Sequence, residues 1–216
     1  MINRCRRLFR GSLTERRARG ERGVAMVEMA IVAPLLALIL GGIVEYGMLW
    51  RDDLTASAST RAAARVASNL GDDHLADYEA LLALDAGMSG LNNLNIEGVL
   101  IYEASAADGE PHSSCFDAAG DPIPRPGRCN YYSAAQLDAI SGISCKPSAC
   151  AEFPDDATCA SGWATNFCPQ SRSNSQGAGT TVVGVWIRIQ RDFITGLIPG
   201  DGVTITDRTV MRVEPR

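Results

Sequence analysis

Residues 24–49 read VAMVEMAIVAPLLALILGGIVEYGML, and this stretch decides the architecture. Its centre, Met29 to Val44, carries no charge, while single acids, Glu28 and Glu45, stand near either end. At 1.5 Å per residue, a helix of this length crosses a bilayer core of about 30 Å. A cleaved secretory signal needs a shorter apolar region closed by a small-x-small site, and the nearest such site, Ala56-Ser57-Ala58, falls too far beyond. The stretch therefore reads as a membrane anchor, residues 24–49.

Charge on either side of it sets the direction. Residues 1–23 hold eight Arg against two Glu, a net of +6, whereas the remaining 12 basic and 23 acidic residues leave -11. Arg16, Arg17, Arg19 and Arg22 precede the span; after it Arg51 is followed at once by Asp52 and Asp53. Basic residues hold the cytoplasmic side of a span, so the expected topology is single-pass in the inner membrane: a cytoplasmic leader at 1–23 and everything beyond the span periplasmic or extracellular. A +6 tail directly before a membrane segment argues for orientation and against nucleic-acid binding.

Beyond Trp50 the period stays helical. Leu54, Ala58, Ala62, Val66 and Leu70 recur at i+4 with Arg61 and Arg65 on the flank, until Gly71 supplies a C-terminal cap. Span and continuation (50–71) are expected to make one helix from Val24 to Leu70, about 70 Å long, with Pro34 removing one backbone bond within it. Residues 72–216 then read as a small domain. Asp72 or Asp73 caps a shorter helix with Leu75, Tyr78, Leu81 and Leu82 on its apolar face, ending before Gly87. Three segments alternate with period two, Leu94 to Glu103, Val182 to Asp192 and Val203 to Val213, and predict an antiparallel sheet; in the first, Leu94, Ile96, Leu100 and Tyr102 form the apolar set. The join Gly196 to Gly202, with Pro199 and flanking glycines, favours a hairpin with a long loop. The fold class is α+β.

Six of the seven cysteines, Cys115, Cys129, Cys145, Cys150, Cys159 and Cys168, fall in an irregular Ser/Pro/Asp/Gly-rich insert at about 104–179; Cys5 lies in the leader. An even cluster in the acidic part suits an oxidising compartment and up to three disulfides, among 15 possible pairings that sequence does not resolve. Trp163, Phe167, Tyr131 and Tyr132 in the same insert are expected to pack around the bridges.

Enzymatic readings find little support. The outer cysteines contain no C-x-x-C pair for zinc or thioredoxin-type chemistry; Cys145 and Cys150 have four residues between them, including Pro147. His74 and His112 lie near no nucleophile motif. Gly177, Gly179 and Gly184 lack the strand-then-helix context of a phosphate loop and read as a flexible lead into a strand. Asp53-Leu54-Thr55-Ala56-Ser57 has the D-x-[ST]-x-S form of a metal-adhesion motif but falls inside the predicted helix. No cofactor, metal or catalytic set is expected.

An acid at membrane depth costs about 2.5–3.5 kcal/mol near the helix centre and less toward the interface, so Glu28, five residues after Gly23, needs an explanation. A shallow position within reach of water or of a leader arginine is one. The other starts from Gly23-Val24-Ala25-Met26-Val27-Glu28, which resembles the prepilin-peptidase motif of type IV pilins and Tad pseudopilins, with Gly before the cut and Glu at the fifth mature position. Residues 21–67, with the R-G-x-x-x-V-E-x-A start at Arg22, Pro34 in the span, the pair Glu45 and Tyr46, and the Ala/Arg-rich continuation, resemble the TadE-like family of minor pseudopilins. The closing TDRTVMRVEP (206–215) is similar too. Met29 departs from the pattern, which tends to carry an aromatic residue there. The resemblance implies cleavage between Gly23 and Val24 by a prepilin peptidase and neutralisation of a neighbour's new ammonium by Glu28. It also implies helix assembly through Pro34, Glu45 and Tyr46, with other pilins, pseudopilins and the Tad inner-membrane machinery as partners in pilus assembly or adhesion. The alternative, an unprocessed membrane-anchored periplasmic binding or adhesion domain, needs neither Gly23 nor Glu28.

Overall fold

A computed structural model of the chain describes residues 10–91, 94–105, 108–141, 164–175, 179–196, 200 and 202–215. It is α+β: a long N-terminal helix, two shorter helices and one four-stranded antiparallel sheet. The chain divides into two compact units, one of Met1–Gly47 with Ile194–Pro199, the other of Met48–Phe193 with Gly200–Arg216. The described parts of the first are 10–47 and 194–196.

Helix α1 runs from Arg10 to Leu70 without interruption, Pro34 included, and so begins in the basic leader, ahead of the Val24 start expected from the apolar pattern. Arg, Glu, Leu and Ala dominate residues 10–22, and these are good helix formers. Its end is as expected: Gly71 takes φ 59°, its N–H donates to the Ala67 carbonyl at 3.0 Å, and a Cβ there would meet Val213 at 2.9 Å.

In the second unit, α2 (Ala76–Met88) precedes β1 (Leu94–Glu103), β2 (Cys129–Ser133), α3 (Ala134–Ser141), β3 (Val182–Arg191) and β4 (Val203–Arg212). The sheet order is β2-β1-β3-β4. On one face Val99, Ile101, Val183, Val185, Ile187, Ile189 and Ile205 pack against the helices; on the other, Leu100, Tyr102 and Trp186 meet Cys115 and Cys129. The Cys115–Cys129 disulfide thus lies on the face away from the helices.

Three sequence readings are corrected. First, the α1 stripe of Leu54, Ala58 and Ala62 is exposed, and Val66 and Leu70 are only half-buried; the buried face is Ala56, Ser59, Thr60, Ala63, Ala64, Ala67 and Ser68. Small side chains bring the helix close, and the hydroxyls are satisfied: Ser59 donates to the Thr55 carbonyl at 2.8 Å, Ser68 to the Arg212 carbonyl at 2.5 Å, and Thr60 to the Asp207 carboxylate. Second, a bulge between Ile96 and Gly98 turns Ile96 to the helical face, opposite Leu100 and Tyr102. Third, Gly184 is no lead-in but the register partner of Tyr102, and a Cβ there would collide with the Tyr102 ring. The insert also holds more regular structure than its composition suggests, namely β2 and α3.

Candidate functional site

The sequence-derived site residues lie on α1. Gly23, Val24, Glu28 and Pro34 all sit in the unbroken helix and are exposed. Val24 and Glu28 are four residues apart, one turn along the same face. From Val24 to Val44 the large apolar side chains are exposed, in a helix long and apolar enough to cross a membrane by length and composition.

Glu45 and Tyr46, read together in the sequence, point in different directions. Tyr46 is 64% exposed, whereas Glu45 is fully buried. Its Oε1 accepts the Ile194 N–H at 3.1 Å and its Oε2 the Thr195 N–H at 3.0 Å, so the carboxylate clamps the start of the β3–β4 hairpin loop within the first unit.

The exposed apolar face continues past the charge-free run. Trp50 (57% exposed), Leu54, Ala58 and Ala62 line a shallow apolar groove whose other wall includes Gly87 of α2. A Cβ on Gly87 would run into the Ser59 side chain, so this glycine sets how closely α2 approaches α1.

Two buried ionic groups, unsuspected from sequence, hold the second unit together. Arg191 at the end of β3 pairs with Asp52 of α1 and reaches Met48 Sδ at 3.6 Å. Asp77, in the first turn of α2, accepts from Asn130 Nδ2 and the Tyr132 hydroxyl, each at 2.8 Å, and from Arg172 Nη2 at 2.5 Å. Asn130 Oδ1 in turn accepts the N–H groups of Asn166 and Phe167, and the Arg172 guanidinium lies 4.5 Å over the Phe167 ring. With its carboxylate engaged by three side chains inside the fold, Asp77 reads as a pin joining α2, β2 and the Cys168 segment. Burial, with the Asp77 charge added, pushes the Tyr132 phenol well above its ordinary 10.0. Asn130 and Arg172 stand 53 and 95 positions from Asp77 in sequence, and no spacing rule joins them.

Of the predicted disulfide cysteines, Cys115 and Cys129 bond to each other and Cys168 is disulfide-bonded as well; Cys145, Cys150 and Cys159 lie outside the described residues. Tyr131 packs against the cluster that holds Cys115 and Cys129, as expected, whereas Phe167 and Tyr132 are buried in the cluster on the helical face of the sheet; Trp163 also lies outside the described residues. Among the described residues no group of three or more His, Cys, Asp or Glu side chains comes together as a metal site.

Residues 23–65 match the family model for TadE-like protein. The TadE-like segment lies wholly inside α1, begins at the glycine of the proposed cut and takes in the exposed Trp50, Leu54, Ala58 and Ala62; the sheet domain is outside it. No curated protein and no solved structure matches the chain.

Proposed function

We propose that the chain is a minor pseudopilin of a Tad pilus system, acting in pilus assembly or adhesion. Prepilin peptidase removes the leader between Gly23 and Val24, and α1 then packs laterally among other pilin-like helices. The domain of residues 72–216 stands on the periplasmic or extracellular side of the inner membrane. The observation that carries this reading is the apolar face of α1, which persists beyond the span through Leu54, Ala58 and Ala62 within the TadE-like segment. A helix serving only as a tether has no use for apolar surface outside the bilayer.

Cleavage exposes an ammonium at Val24 one turn from Glu28, and opposite charges at a low-dielectric boundary attract far more strongly than in water. The glutamate thus offsets the new terminus, its own or a neighbour's. Because the scissile bond lies within helix, the peptidase must unwind α1 locally; Gly23, a poor helix former, eases that.

Intact mass and N-terminal sequencing of the protein from native membranes, with and without the peptidase, test the proposal. A mature chain starting at Val24, blocked by Gly23→Ala, is expected. A retained leader in the presence of the peptidase would overturn it in favour of the unprocessed anchored binding domain.

A further inference from the structure

A glutamate at the end of an apolar span ordinarily reaches for water. Glu45 does not: it is fully buried and occupied by two backbone N–H groups of the β3–β4 loop. The clamp holds Ile194 and Thr195 against α1 four residues short of Leu49, the last residue of the apolar stretch.

The clamped loop has an unusual composition. Between Asp192 and Asp201 the sequence is FITGLIPG, with no charge and four large apolar residues. Hairpin tips that face water draw on polar turn residues. Ile194 nonetheless remains 47% exposed. Tyr46 follows Glu45 directly, and Trp50 lies one turn further on the same helical face, both exposed. Amphipathic aromatics at the end of a span mark the headgroup level of a bilayer.

We propose that the start of the β3–β4 loop, Ile194 with Thr195, lies in the outer interfacial layer of the phospholipid bilayer and forms a second membrane contact, with Glu45 as its clamp. This rests on the reading that α1 spans a membrane. Continuity selects lipid as the occupant: the loop is held against the same helix whose exposed apolar side chains run unbroken up to Val44. Glu45 then serves attachment within the chain, and what it replaces is the water that a carboxylate at this depth would otherwise drag in.

The full chain is reconstituted in phosphatidylcholine/phosphatidylglycerol vesicles with a fluorescent amino acid introduced by codon reassignment at Leu38, Ile194 or Arg65, and quenched by brominated acyl chains. Strong quenching at 38, intermediate quenching at 194 and none at 65 is the expected pattern. Quenching at 38 with none at 194 overturns the loop proposal and leaves the span intact; none at 38 removes the span and the proposal together. In Glu45→Gln, where one oxygen acceptor becomes a donor facing an N–H, quenching at 194 falls toward that at 65. No change there overturns the clamp.

Discussion

At Asp77 one carboxylate holds an amide, a phenol and a guanidinium at once. Removing the charge strands Arg172 in the interior, and breaking a buried pair costs about 3–5 kcal/mol. Asp77→Asn is therefore expected to lower stability by about 3 kcal/mol in denaturant titrations of the detergent-solubilised protein; a shift under ~1 kcal/mol would deny the pin its role. The phenols make a second prediction. Burial raises both Tyr102, whose hydroxyl donates to the Gly109 carbonyl at 2.6 Å, and Tyr132 above the ordinary 10.0. A group with a raised folded pKa binds its proton more tightly when folded, so its contribution is whole below about pH 10 and is lost as pH climbs beyond. Stability is expected to be flat from about pH 8 to 10 and to fall above, with a shallower fall in Tyr102→Phe. Neither group was legible in the sequence: Asp77 looks like any first-turn helix acid, and its partners are brought to it only by the completed fold.

Elements were read with uneven success, for physical reasons. β1, β3 and β4 carry two-residue alternation, which gives their ends to within a residue. β2 is five residues inside an irregular stretch, too short to alternate convincingly. A signal for the helix after it was present: Ser133 and Gln136 form a capping pair, with Gln136 Oε1 accepting the Ser133 N–H at 2.9 Å. On α1 hydrophobicity points to the wrong stripe, because the buried face is built from alanine and hydroxyl residues, two of which, Thr60 and Ser68, are bonded to β4 only in the completed fold. The two stripes predict opposite mutant behaviour. Ala63→Leu forces bulk between α1 and the sheet and should cost about 1–3 kcal/mol. Leu54→Asp touches only exposed surface, so stability should move by less than ~0.5 kcal/mol while co-purification with partner pilins and piliation are lost. Normal piliation in Leu54→Asp would remove the apolar face from the assembly role.

For the whole molecule, the broad plan of a long apolar N-terminal helix followed by a disulfide-bearing α+β domain is readable because apolar length and cysteine clustering are one-dimensional properties. The pairing of Cys115 with Cys129 is not, since it depends on β2 folding back along β1. That bond closes a short loop, and loops of about 15 residues gain about 3 kcal/mol from such a link. Its position also carries a consequence for biosynthesis. Both cysteines are made after β1 and before β3, and Cys129 sits opposite Tyr102 on β1. A nascent chain can therefore close the Cys115–Cys129 loop covalently, fixing the β1–β2 connection to the start of β2 while the ribosome is still adding the second half of the sheet, and leaving the other edge of β1 as the template on which β3 is laid. Translocated chains arrested before Val182 should already show the bond as a reduction-sensitive gel shift; if it forms only in full-length protein, the sheet comes first and the bond merely records it.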